Sequence, residues 1–148
     1  IIGDSMSSRL FQKVREEKAL AYSVYSYYSS YEDIGAWMIY GGTSMKQLTQ
    51  MEETILAVIE DIKNNGVTLE EIQRAKIQLE SGLLLGLETS FDYMNRNARN
   101  ELTYGEERTV AQSLAELAAV SEASVERVIE RILTKPHARS VIFSDKEK

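Results

Sequence analysis

A tyrosine-rich segment with strand-like alternation, 21–29, and a second short strand, 35–40, stand ahead of a long stretch whose apolar residues recur at helical spacing. That order confines the chain to an α+β fold, with strands first and helices after. Within 21–29, Tyr22, Val24 and Tyr28 fall on one side, and Ala21, Ser23, Tyr25 and Tyr27 on the other, so both faces are partly apolar. Tyr31-Glu32-Asp33 supplies a turn between the segments, which predicts an antiparallel hairpin.

The helices follow from period and punctuation. Over 46–65, Leu48, Met51, Ile55, Val58, Ile59 and Ile62 line one face, and Asn65-Gly66 closes the helix. Thr68 caps the next one, with Glu71 as the return half of a capping box and Val67 placed to staple against Ile72. Its buried stripe is expected to be Leu69, Ile72, Ala75, Leu79 and Leu83. Further helices are predicted over 90–102, stopping at Gly105, over 110–117, and from Ser121, where Val125, Val128, Ile129 and Ile132 share a face until Pro136 forbids continuation. The β-branched and aromatic content of 139–143 predicts a last strand in the same sheet. The expected architecture is an antiparallel-rich sheet with helices packed on one face, one domain over 1–148, ending in a charged, frayed Asp145-Lys146-Glu147-Lys148 tail.

Composition removes several function classes. The chain has 148 residues, 43% of them hydrophobic, enough for one domain with a real core. A net charge of −6 argues against nucleic acid, which needs clustered Lys and Arg. No apolar run reaches the length of a membrane span, and Gly82-Leu83-Leu84-Leu85-Gly86-Leu87 is far too short for one. The absence of cysteine fits a cytoplasmic protein. It also bears on metals: a zinc hydrolase site takes about three ligands from His, Cys and carboxylates. This chain has one histidine, His137, and no HxxEH or HExxH. His137 follows Pro136 in a loop and reads as a solvated residue. No Gly-x-Ser-x-Gly elbow, paired Ser-x-x-Lys or phosphate-binding glycine loop is present either. By itself the chain is expected to be inert.

The candidate site lies where a charged amphipathic segment meets the first strand, in SSRLFQKVREEKALAYSV from Ser7 to Val24. Arg15 falls near the end of a helix and Tyr22, seven residues on, at the start of a strand, so both polar tips can converge on one point. A guanidinium with five N–H donors and a phenol with one suit a site that binds peptide carbonyls or stabilises an oxyanion. Blander roles are open for both: a helix-terminal cation for Arg15, and a half-buried strand residue for Tyr22. Tyr25, Tyr27, Tyr28, Tyr31 and Tyr40 either line a peptide-binding wall or mix core packing with an interdomain contact. Ser7 and Ser8 read as an N-cap and its neighbour.

The residues Gly3, Met6-Ser7-Ser8-Arg9-Leu10-Phe11, Val14-Arg15-Glu16 and Leu20-Ala21-Tyr22-Ser23-Val24 carry a resemblance. They resemble the SSRLFxxxRExxGLAYSV pattern in the C-terminal half of the pitrilysin/insulysin-type zinc peptidases, which include the mitochondrial processing peptidases and their bacterial relatives. Gly35-Ala36-Trp37 through Gly42-Thr43 resembles the family's following strand and turn, and Gly66-Val67-Thr68-Leu69-Glu70-Glu71 with Ala75-Lys76 resembles its GVTEEELxxAK pattern. One position departs: Ala19 stands where the family often has glycine, so a turn without a positive φ is expected there.

The resemblance implies a substrate-binding, transition-state-stabilising half of a zinc metalloendopeptidase, truncated at its N-terminus. Arg15 is then a substrate contact, and Tyr22 a substrate contact and catalytic donor to the oxyanion. Zinc belongs to the intact enzyme, held by a separate N-terminal, HxxEH-containing half in the same or another chain, with none bound here. The expected partners are that half and a peptide substrate. A missing neighbour strand would leave an open sheet edge that invites homodimerisation. The alternative is a non-catalytic structural or chaperone-like paralogue of the same fold.

Overall fold

The hairpin is the organising element. Strands β1 (Ser23–Ser30) and β2 (Gly35–Gly42) pair antiparallel in one register from Ser23 opposite Gly42 to Ser30 opposite Gly35. The Tyr31 N–H donates to the Ile34 carbonyl at 2.8 Å across the turn. The computed structural model describes residues 1–31 and 33–143, so Glu32 of the predicted turn and the predicted frayed tail at 145–148 lie outside the described residues. The register puts Val24, Ser26, Ile39 and Gly41 on one face and Tyr25, Tyr27, Met38 and Tyr40 on the other.

By contacts the chain divides into two compact units, Ile1–Gly66 with the stretch from Glu126, and Val67–Val125. In the first, helix α1 (Leu48–Asn65) covers the Val24 face of the hairpin. It packs so closely that a Cβ on Gly41 would stand 2.9 Å from the Met51 Sδ. Met51, Thr54, Val58 and Ile62 are its buried stripe, at the spacing the sequence predicts. Gly66 closes α1 at φ +72, donating its N–H to the Ile62 carbonyl at 2.9 Å. Leu10, Val14, Leu20, Ala21 and Val24 complete this core. Along β1, the Ser26 N–H donates to the Gly3 carbonyl at 2.6 Å, and any Cβ on Gly3 would sit 2.6 Å from that same nitrogen.

The second unit is helical: α2 (Leu69–Leu85), α3 (Ser90–Tyr104) and α4 (Val110–Ala119). Each starts in a full capping box, Thr68 with Glu71, Thr89 with Asp92 and Thr109 with Gln112, so two orphan donors per helix are satisfied from within the sequence. Arg96 fastens α3 to the next helix, donating to the Ser113 Oγ at 2.7 Å and to the Arg108 and Thr109 carbonyls at 3.1 and 3.3 Å. The buried Asn100 donates to the Arg108 carbonyl at 3.2 Å. Lys76 reaches the Ala118 carbonyl at 2.7 Å, tying α2 to the end of α4. The last helix, α5 (Glu122–Leu133), opens with the Ser121 and Ser124 hydroxyls each accepting the other residue's N–H.

Four expectations are corrected. Residues 139–143 form no strand and Ile142 is 97% exposed: β-propensity expresses packing against a neighbour, and none of the described strands takes this segment up. On α2, Ile72 is buried but Leu69 and Leu79 are 61% and 55% exposed: helical period marks a side, and burial needs an element packed on it. Ser8 takes the capping position by its carbonyl, which accepts the Gln12 N–H at 3.0 Å, yet its hydroxyl is buried without a partner, and Ser7 pairs with Ser5 instead. The turn at Ala19 does use a positive φ, +48, despite the Cβ.

Candidate functional site

The segment before β1 is not an ordinary helix. After an opening turn at Arg9 and Leu10 it continues as a π-helix, Phe11–Glu17, a form bonded i→i+5 that is rare overall and frequent at functional sites. Leu10 and Val14, four apart, are fully buried and fix one side of it in the core. Arg9 anchors its start, donating to the Asp61 carboxylate at 2.8 Å and to the Gly66 carbonyl at 3.1 Å. Phe11 and Arg15, also four apart, then share the neighbouring side, where both are half-buried.

The helix ends in a widened Schellman closure. The Ala19 N–H donates to the Arg15 carbonyl at 3.1 Å and the Leu20 N–H to the Val14 carbonyl at 2.8 Å. The Leu20 bond spans one residue more than the 6→1 bond of a Schellman closure, while the Ala19 bond has the 5→1 span of an αL cap. Ala19 holds the left-handed position of the motif, and the apolar pair that accompanies such caps is Leu20 with Val14, both buried. The Thr43 hydroxyl donates to the Leu20 carbonyl, and Lys18 donates to the Thr54 Oγ1 at 3.0 Å, so the turn is also tied to the residue that follows β2 and to α1.

This reversal brings the two candidate residues into contact. The Arg15 Cζ lies 4.5 Å from the centroid of the Tyr22 ring and 4.7 Å from that of Phe11, both within cation–π range. Arg15 Nε is 3.7 Å from the Glu16 carboxylate. Tyr22 is 80% exposed, and its hydroxyl has no hydrogen-bond partner among the described residues. The outcome is a surface with an unengaged phenol and a partly exposed guanidinium side by side, donors available to a chain laid over them. Sequence reasoning placed Arg15 and Tyr22 together but assigned Phe11 no role. The signal was present, as an aromatic four residues before an arginine on one helix.

The tyrosines divide. Tyr25, Tyr27 and Tyr40 lie on the hairpin face turned away from α1, with ring centroids 5.0 Å apart for Tyr25 and Tyr40 and 5.8 Å for Tyr25 and Tyr27. Tyr28 and Tyr31 are exposed. Among the described residues no group of three or more His, Cys, Asp or Glu is placed to hold a metal ion, so the residues present do not fit a zinc site. No helix is long and apolar enough to cross a membrane.

Comparison with known proteins places the chain in a family. The family model described as the peptidase M16 inactive domain matches residues 1–79. The chain is 45% identical over 142 residues to the uncharacterized zinc protease YmxG of Bacillus subtilis, covering 96% of this chain and 35% of that protein. An uncharacterized zinc protease of Streptomyces coelicolor is 39% identical over 147 residues, 99% of this chain and 32% of its own length. The chain thus spans about a third of the curated relatives it matches. Among solved structures, a conserved protein from Enterococcus faecalis superposes with a TM-score of 0.72 at 26% identity, over 87% of this chain and 30% of that one. The peptidase M16 inactive domain from Pseudomonas fluorescens gives a TM-score of 0.77 at 20% identity, over 89% of this chain and 31% of that one, which is a likeness of fold. The chain belongs to the peptidase M16 family, as its inactive domain.

Proposed function

We propose that this chain is the substrate-binding half of a zinc-dependent endopeptidase, and that it contributes transition-state contacts to a metal held elsewhere in the parent protein. The observation that carries the reading is the contact of Arg15 with Tyr22 on an exposed surface, with no hydrogen-bond partner for the phenol hydroxyl among the described residues. Tyr22 donates its O–H to the oxygen that gains negative charge as a peptide carbonyl becomes tetrahedral, and Arg15 binds a neighbouring substrate carbonyl. The ring contact serves this role, because a guanidinium laid over the Tyr22 ring keeps its donors near the phenol. Since no acidic, histidine or cysteine cluster among the described residues fits a metal, no step of the reaction is assigned to a metal on this chain. The relatives named zinc proteases are about three times as long, which leaves room for the metal-holding half outside the matched region.

The test is hydrolysis of a quenched fluorescent peptide by the complete parent protein, wild type beside Tyr22→Phe and Arg15→Ala at matched zinc content. Loss of an oxyanion donor predicts a fall in kcat of about a hundredfold for Tyr22→Phe. Unchanged turnover in both variants would return these residues to the fold and leave the domain as a non-catalytic structural half.

A further inference from the structure

We propose that Phe11 is a positioning residue for Arg15, holding the guanidinium over the Tyr22 ring so that both sets of donors face the same substrate segment; this rests on the reading of Arg15 as a substrate contact. The guanidinium carbon stands almost equally far from the two rings, 4.7 Å from the Phe11 centroid and 4.5 Å from that of Tyr22. Tyr22 is mostly exposed, whereas Phe11 is half-buried on a helix whose Leu10 and Val14 are fully buried. Phe11 is therefore the fixed ring of the pair. An arginine has several rotatable bonds, and Glu16 beside it offers a competing carboxylate 3.7 Å from Nε. Without the Phe11 ring, one of the two attractions that oppose the pull of Glu16 is gone, and the guanidinium is free to swing along the helix. The aromatic character matters as much as the volume, because a quadrupole attracts the cation where an aliphatic chain of similar size does not.

The experiment is a double-mutant cycle in the complete parent protein, with kcat/KM for the fluorescent peptide measured for Phe11→Leu, Arg15→Ala and the pair, and with Phe11→Trp as the conservative variant. Leu keeps most of the apolar volume, and unfolding midpoints verify that each variant is folded. The expected result is a fall of about fivefold for Phe11→Leu in the wild-type background, less than about twofold when Arg15 is already Ala, and recovery in Phe11→Trp. An equal fall in both backgrounds, or none in either when Arg15→Ala itself lowers kcat/KM, overturns the proposal. Crystal structures of the parent and its Phe11→Leu variant separate this from failure of the functional reading. A guanidinium that leaves the Tyr22 ring in the variant supports positioning even if Arg15→Ala proves kinetically silent, which would sink only the substrate-contact role. A guanidinium that stays in place without Phe11 overturns the positioning.

Discussion

Replacing Ala19 by glycine is expected to stabilise this protein, the reverse of what glycine does at most non-glycine positions. Ala19 has φ +48, the one positive value among the described non-glycine residues. For an L-residue with a Cβ the left-handed region costs roughly 1–2 kcal/mol, and glycine enters it without that penalty. Against this, glycine loosens the unfolded chain by about 0.4–1 kcal/mol. Ala19 is exposed, so its methyl group contributes little burial, and the bonds to Arg15 and Gln47 use its backbone, which glycine retains. The net gain is about 0.5–1 kcal/mol, which at a urea m-value of ~2 kcal/mol/M raises the midpoint by about 0.3–0.5 M. Trp37, the single tryptophan, lies half-buried in β2 of the same unit, and its fluorescence follows the transition. The matched control is Ala57→Gly, on the exposed side of α1, which should lower stability by about 1 kcal/mol. If Ala19→Gly lowers the midpoint as Ala57→Gly does, residue 19 is right-handed in solution and the widened Schellman closure is wrong.

Gly3→Ala should cost about 1–3 kcal/mol, because its Cβ meets the Ser26 backbone nitrogen at 2.6 Å and neither partner has a flexible end to give way; a midpoint equal to wild type would refute the close approach. Gly41→Ala should cost less than Gly3→Ala, since the atoms it meets belong to the mobile end of Met51, and the same titration ranks the two. Thr68→Ala or Thr109→Ala removes one half of a capping box and should each cost about 1 kcal/mol, read as an earlier loss of helical circular dichroism. Hydrogen bonds from the Thr89 hydroxyl and then its backbone N–H hold the Asp92 carboxyl below the usual carboxylate range. The stabilisation is therefore complete above the unfolded-state pKa and lost as pH falls through the lower folded value, so Asp92→Asn should flatten the acid limb of stability against pH. An acid limb of unchanged slope would rule out this contribution.

What the sequence disclosed and what it withheld divide along physical lines. The hairpin, the helices and the Thr68 box were legible because period and punctuation are local properties, and the structure shifts their ends by only a few residues. The Thr89 and Thr109 boxes were just as local, and the same spacing of three residues would have found them. The 139–143 strand failed because pairing depends on an edge elsewhere in the fold, which composition does not supply. Leu69 and Leu79 failed similarly: their stripe is apolar at the right period, but burial needs a neighbour, and periodicity says only which side would face one. The π-helix was invisible for another reason. An i→i+5 ladder leaves no distinct residue pattern over so short a run, and the left-handed Ala19 contradicts the preference that a sequence reader relies on.

The contact between Arg15 and Tyr22 is a product of the turn more than of the spacing. Seven residues of continuous α-helix would carry Tyr22 about 10 Å along the axis, and seven of extended strand about 23 Å. Both distances exceed the ~6 Å within which a cation and a ring attract appreciably. The observed 4.5 Å between the side chains is reached here because the chain doubles back between the two residues. The reversal is made at one residue, Ala19, and is locked by the Leu20 N–H on the Val14 carbonyl with both side chains buried. A wider helix suits this lock, because the carbonyl that accepts from Leu20 lies one residue further back than an α-helix would place it. The donor pair is thus set by backbone hydrogen bonds rooted in the core, while the left-handed backbone strain sits at Ala19, away from the two donors. That separation lets a half-buried arginine and an exposed tyrosine hold a defined geometry on a surface where side-chain entropy would otherwise scatter them.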